Sequence, residues 1–395
     1  MKNLYNKLLL IDYTQSIENW FPQTEKLLNN IRNKGNCILI SQFDGIGDAI
    51  LISGIIKELK TYYNLPIIIA CYNFVAPIFK MNPHVDKVIS LTPDLINYYY
   101  IIDKIYNELW INNIFISEAF HLQCFEINNT AILFNYFSGA KKRISYLEYS
   151  INKNELIDIE QKIMERHINN HDELLITNKY QFPRNITHMV DRAYWIIEQY
   201  LNKQFHHDLY IYPKNTDMIK YIDKNKKNII VNLGGSLAFK KYPAKELNKF
   251  LSLIKNNIIL IGGQDSIEDS KYITNQCINL VNKTSLIESI DLINNCDLYI
   301  GNDTGMTHIA AACKKPCIVF YKESKDSYQY FPERLSSWLQ FQPYKTKSIC
   351  LRPEKRLIPC SRKKYTYAGC VAMNQNHCIR QISTDEIINA YNKLI

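Results

Sequence analysis

No uninterrupted apolar run in this 395-residue chain is long enough to cross a bilayer. The short run Leu8-Leu9-Leu10-Ile11 is followed too soon by acidic residues to read as a secretion signal. The expectation is therefore a cytoplasmic protein, in which the 11 cysteines are reduced thiols rather than a disulfide framework. Cys-x-x-Cys pairs are lacking. No short repeat period appears either, which argues against a solenoid. The first half lacks a Gly-x-Gly-x-x-Gly turn with a downstream ribose carboxylate, which sets a dinucleotide oxidoreductase aside. No recognition-helix motif or aromatic-basic RNA signature accompanies the basic residues, so nucleic acid is not an expected partner.

What remains is an ordinary globular composition, 47% apolar and 22% charged, in a chain long enough for two domains. The formal charge of +9 is unevenly spread. Lys345, Lys347, Arg352, Lys355, Arg356, Arg362, Lys363 and Lys364 face only Glu354 across residues 345–364. Such a run suits phosphate groups or an anionic membrane surface, and equally a solvated basic face.

Residues 1–36 read as a helical extension, with Ile17, Trp20, Leu27, Leu28 and Ile31 at roughly helical spacing before Gly35. Strand-like runs then alternate with helical stretches: Cys37 to Ser41, a helix from about Asp48 to Tyr62, Pro66 to Ala70, a helix near 74–80, strands at 86–90 and Ile114 to Ser117, and a helix at 187–202. That is the pattern of a parallel sheet wrapped by helices, a first domain over 37–205. The polar stretch 206–227 reads as a linker. The pattern restarts in 228–395 with Asn228 to Asn232, the helix opened by Pro243, Ile258 to Ile261 with the Gly262-Gly263 pair, a helix to about Cys277, and Asp297 to Ile300.

Three segments carry chemistry. Asp44-Gly45-Ile46-Gly47-Asp48 closes a strand and opens a helix, where parallel sheets place ligands. Asp48 there either caps the helix or takes a proton from an acceptor hydroxyl. Leu233-Gly234-Gly235-Ser236, followed by Lys240-Lys241-Tyr242-Pro243, joins a glycine turn able to approach phosphate oxygens with a lysine charge. Gly301-Asn302-Asp303-Thr304-Gly305-Met306-Thr307-His308 runs into a helix of small apolar residues, and its first amides with the Thr304 hydroxyl would form an anion site. Asp303 either caps that helix or orients the site, and His308 touches the ligand or packs beneath it. His121, near Glu118 at a strand end, is a candidate on the acceptor side, with Asp44 and Gly47.

In this order the three segments resemble glycosyltransferase family 9, the ADP-heptose:lipopolysaccharide heptosyltransferase family, from about Cys37 to the end. Asn82-Pro83-His84-Val85-Asp86, Ser138-Gly139-Ala140-Lys141-Lys142-Arg143 and Thr187-His188 with Asp191-Arg192 add to the likeness. The resemblance implies a GT-B fold, two doubly wound α/β Rossmann-like domains facing a central cleft. It implies that Asp48 is the catalytic carboxylate and that Lys240, Thr304 and Gly305 hold the donor diphosphate, with Asp303 near the sugar. Gly234, Gly235, Ser236, Met306 and His308 join the donor-binding set. Transfer would invert the anomeric centre without a metal, from a donor such as ADP-heptose to lipopolysaccharide or another cell-surface glycan, with peripheral contact to the inner membrane. A protein-modifying (autotransporter) heptosyltransferase with a Cys-bound metal, and a non-catalytic nucleotide-sugar-binding protein of the same fold, are the alternatives.

The sequence departs from the family at Ser53-Gly54 in place of a Thr-Pro pair, at Lys241-Tyr242 before Pro243 in place of tryptophan, and at Gln264-Asp265-Ser266 after the glycine pair. Cys350, Cys360, Cys370 and Cys378 crowd one basic tail. They read either as reduced thiols or as a structural zinc or iron site at wide spacing.

Overall fold

The computed structural model describes residues 1–122, 129–146, 172–180, 183, 185–235, 237–329, 336–355 and 378–395. The chain divides into two units, Met1–Pro183 with Met189–His207, and Arg184–His188 with Asp208–Ile395. No helix among the described residues is long and apolar enough to cross a membrane.

The first unit is built on six strands: β1 (Cys37–Gln42), β2 (Ile67–Tyr72), β3 (Lys87–Leu91), β4 (Ile116–Phe120), β5 (Lys142–Tyr146) and β6 (Asn178–Tyr180). All pair in parallel, in the order β3-β2-β1-β4-β5-β6. Every residue of β1 is buried, as a strand covered on both faces by crossover helices requires. The chain starts in mid-sheet, walks to one edge, and returns to the middle at β4. The connections leaving β1 and β4 therefore diverge and open a crevice at their C-terminal ends.

The second unit repeats this plan with β7 (Asn228–Asn232), β8 (Asn257–Ile261), β9 (Ile278–Asn279), β10 (Leu298–Asn302), β11 (Cys317–Phe320) and β12 (Ser348–Leu351). The order β12-β11-β10-β7-β8-β9 is the same topology read from the other edge, with the switch between β7 and β10. Both sheets and their helices bear out the doubly wound α/β expectation.

The N-terminal extension forms the helices Lys2–Leu9 and Ile17–Leu28. Leu8, Ile17, Trp20, Leu28 and Ile31 are buried in the first unit's core with Ile101, Ile102 and Ile105 from the helix Tyr98–Glu108. The expected helix from Asp48 is two helices, Ile46–Leu51 and Ser53–Tyr63. Ile52 leaves the helical range at φ −99°, ψ 0°, just before the Ser53-Gly54 pair, a combination that favours kinks. The strand expected at Ile114 begins at Ile116, because the carbonyl of Phe115 accepts from the amides of Asn36 and Cys37. The helix expected to run to Cys277 is a single turn, Ile267–Ser270. Residues 208–227 are tied to the second unit. Asp208 pairs with Lys314, and Asp291 Oδ2 accepts from the Thr216 amide at 2.8 Å and its hydroxyl at 2.6 Å.

Gly35 marks a close backbone crossing. A Cβ built on it would stand 2.4 Å from the Ser117 Cα and 2.6 Å from its amide nitrogen. No rotamer change relieves a clash with main chain. Gly35→Ala is expected to destabilise the first unit by about 1–3 kcal/mol, seen as a lower urea midpoint; an unchanged midpoint would show that the crossing is not tight.

Candidate functional site

At the second switch point, two asparagines end adjacent strands, Asn232 on β7 and Asn302 on β10, both buried. Asn232 Nδ2 donates to Thr304 Oγ1 at 3.2 Å, and its Oδ1 accepts from the Gly234 amide at 3.1 Å. Asn302 Nδ2 donates to the Gly234 carbonyl at 3.0 Å, and its Oδ1 accepts from the Tyr242 amide at 2.8 Å. Beneath them, Thr307 Oγ1 donates to the Asn302 carbonyl at 2.7 Å. These polar groups tie the Gly234 turn to the helix Gly305–Ala312. Sequence reasoning passed over Asn232, and over Asn302 as more than a motif letter. The available signal was an amide side chain ending an otherwise apolar strand.

Thr304 is the extended residue before that helix, with φ −146° and ψ 169°, and no side chain caps it. The amides of Gly305 and Met306 therefore open the helix at its positive end, worth roughly half a unit charge. Residues Asp303 to Met306 are half-exposed, as a ligand site needs. Lys240 Nζ lies 3.2 Å from Asp303 Oδ2, which puts the lysine and the carboxylate from two of the three segments side by side. The two glycine amides each have a partner within the turn's surroundings. Gly234 donates to Asn232, and Gly235 donates to Asp265 Oδ2 at 3.0 Å. Both N–H groups are engaged within the protein, which fixes the turn in place. Ser236 lies outside the described residues.

His308 is buried and tilts against the Phe341 ring, 6.3 Å between centroids. Burial pushes its pKa down to about 4, against a raising influence from Asp303. It is a buried neutral group within electrostatic reach of Lys240 and Asp303.

At the first switch point, Gly45 caps the helix Ile46–Leu51, and Asp48 Oδ2 accepts from the Gly45 amide at 3.2 Å. The capping role is thus realised, with Asp44, Gly47 and Asp48 all half-exposed. His121 is not an accessible acceptor contact as expected from its place after β4. It is wholly buried, its Nδ1 lies 3.0 Å from Ser145 Oγ, and burial pushes its pKa down to about 4. Its amide donates to the Ile144 carbonyl of β5 at 2.9 Å and its ring stacks on Tyr146, 6.0 Å between centroids.

One expectation for the basic tail changes. Arg352 faces inward, donating from its Nη2 to Glu323 Oε1 at 3.2 Å and to the Ser324 carbonyl at 2.7 Å, with its guanidinium over the Trp338 ring. Of the four tail cysteines, Cys360 and Cys370 lie outside the described residues. Cys350 sits in β12, its thiol pushed up to about 11 by burial. Among the described residues no group of three or more metal-ligating side chains converges.

The buried imidazoles set a pH dependence. An unfolded chain takes up protons near 6.5 that folded His121 and His308 refuse until about 4. Stability therefore falls as pH is lowered through that window, by on the order of 3 kcal/mol per imidazole at its lower end. His207 acts in the opposite sense. Burial disfavours its charge, but Asp191 at 2.8 Å and Glu198 at 2.9 Å outweigh that and raise its pKa. Its contribution is full below the unfolded value and is lost as pH rises through the folded one. His308→Gln is expected to flatten the fall in urea midpoint between pH 6.5 and 4; an unaltered slope would mean that His308 titrates in the fold as it does in the unfolded chain.

Comparison with known proteins adds the family. The chain is 46% identical over 52 residues to lipooligosaccharide heptosyltransferase 2 of Haemophilus influenzae, covering 13% of this chain and 15% of that one. It is 32% identical over 112 residues to lipopolysaccharide heptosyltransferase 1 of Campylobacter coli, 25% and 33% of the two chains. The matched stretches are thus a third or less of each relative's length. Among solved structures, a family 9 glycosyl transferase from Veillonella parvula aligns with a TM-score of 0.68 at 15% identity, covering 91% of this chain and 97% of that one. The ADP-heptose lipopolysaccharide heptosyltransferase II of E. coli aligns at 0.63 and 16% identity, covering 90% and 98%. At such identities these two structures speak for the fold alone. Residues 164–369, just over half the chain and including Lys240 and the Asp303 to His308 segment, match the model of glycosyltransferase family 9 (heptosyltransferase), and the chain belongs to that family.

Proposed function

We propose that this protein transfers a heptose from a nucleotide diphosphate donor, ADP-heptose, to a lipopolysaccharide or related cell-surface glycan. The observation that carries the reading is the second switch point. There an uncapped helix N-terminus, Thr304 and the Lys240–Asp303 pair meet within the family-matched residues. That charge arrangement suits a diphosphate. The named relatives supply the heptose and the class of acceptor, and the E. coli enzyme's name supplies the adenosine diphosphate.

In the proposed reaction the acceptor oxygen bonds to the anomeric carbon as the bond from that carbon to the diphosphate breaks. A single displacement of this kind inverts the centre. The acceptor proton passes to the carboxylate of Asp48, whose Oδ2 also accepts from the Gly45 amide. The electron pair leaves with the diphosphate, whose charge Lys240 and the amides of Gly305 and Met306 answer. Exposed Lys345, Lys347 and Lys355 are suited to the anionic headgroups of the inner membrane, where such an acceptor resides; Arg352, turned inward, is not among them.

Purified protein challenged with a panel of nucleotide sugars is expected to melt at a higher temperature with ADP-heptose; a shift with a different donor alone would replace the heptose and keep the transferase. Asp48→Asn is expected to lower kcat by about 10²–10⁴ with the ADP dissociation constant unchanged. Donor binding with turnover indifferent to Asp48 would instead place the base elsewhere, and binding with no turnover at all in the unaltered protein would make it a binding protein.

A further inference from the structure

We propose that Lys241 is a positioning residue for the donor site, acting through Asp265 to hold the Gly234-Gly235 turn. The inference rests on reading the second switch point as the donor site. Lys240 and Lys241 are adjacent, yet Lys241 has extended backbone angles, φ −87° and ψ 130°, and the two ammonium groups part company. Lys240 reaches Asp303. The Lys241 ammonium is buried with a side chain only 11% exposed, lies 3.0 Å from Asp265 Oδ2 and 3.0 Å from Asp269 Oδ2, and donates to the Asp265 carbonyl at 2.5 Å.

Asp265 is the link. The same Oδ2 that meets Lys241 accepts from the Gly235 amide at 3.0 Å. Gly235 also rests directly on the lysine stem, since a Cβ there would stand 3.0 Å from Lys241 Cγ. The turn is thereby fixed from two sides: Asn232 and Asn302 grip Gly234, and Asp265 with Lys241 grips Gly235. The Asp265 carboxylate is 46% exposed, so without the ammonium it is free to rotate into water and release the amide. The loss is local to the turn. Because the ammonium itself is buried, its loss also costs stability, and ADP affinity measured on the folded variant is what separates a positioning role from a merely structural one.

The test uses the full chain and ADP as the probe. Lys241→Met is expected to weaken ADP binding about tenfold, the scale of one lost hydrogen bond to a charged group. Lys241→Arg is expected to restore most of it, because the guanidinium keeps a charge for both carboxylates. Asp265→Ala should match Lys241→Met, and the double variant should be no weaker than either alone, because the two residues act in series. Asp265→Asn keeps the shape and loses the charge, and it serves as the second reading should Lys241→Met fold poorly. Lys240→Met and Thr304→Ala, measured alongside, probe the donor site itself. If neither of those weakens ADP, the donor-site reading falls. If they weaken it while Lys241→Met and Asp265→Asn do not, or if the single losses add in the double variant, the positioning role of Lys241 is overturned.

Discussion

The second switch point depends on two buried amide side chains, Asn232 and Asn302, at the ends of neighbouring parallel strands. Between them they bond the Gly234 amide, the Gly234 carbonyl, the Thr304 hydroxyl and the Tyr242 amide. A buried polar group left without its partner costs about 1–3 kcal/mol. None of these segments can shift alone without exposing that cost on another. The glycine turn, the residue opening the helix Gly305–Ala312 and the start of the chain toward Ala244–Leu251 are therefore placed as one body. Tyr242 extends the hold, stacked 4.3 Å from Phe320 with its hydroxyl on the Ile382 carbonyl at 2.8 Å.

How much of this was legible in sequence follows from burial. Central strands such as β1 and β7 are covered on both faces, so their apolar runs stand out, and their positions were read closely. The edge strands β6, β9 and β12 have three, two and four residues and mixed burial, which leaves no run to detect. Gly301 to Gly305 was legible because a strand, a turn and a helix follow one another within a few residues. The partition of roles around it was not. Lys240 and Lys241 are identical letters, and their separation arises from the approach of Asp303 to one and of Asp265 and Asp269 to the other, contacts made across about 24 to 63 positions of sequence. Arg352 was likewise counted by its charge, whereas its location is decided by Glu323 and Trp338.

The two switch points share a topology and differ in charge. The first presents carboxylates, Asp44 and Asp48, beside a glycine turn. The second presents a lysine and a helix N-terminus, with a single carboxylate beside the lysine. In the proposed transfer the first turn supplies a basic oxygen and the second an anion site, the two requirements of displacing a diphosphate by a hydroxyl. The fold alone chooses neither; the residues after β1, β7 and β10 do.

His308 completes the electrostatics of the second site by contributing no charge. Its burial holds it neutral, so the balance is set by Lys240, Asp303 and the helix amides. Lysine and carboxylate nearly cancel while they face each other at 3.2 Å, and the helix end supplies a remaining positive potential. In the proposed transfer, a diphosphate at that end competes with Asp303 for the Lys240 ammonium. Asp303, only partly exposed, is then left needing donors, and the hydroxyl groups of a donor sugar are such donors. A protonated His308 would remove that need by compensating Asp303 itself. The same burial that makes the imidazole costly to protonate therefore keeps Asp303 available to a sugar, and a buried group with no evident chemistry of its own bears on what the site can bind.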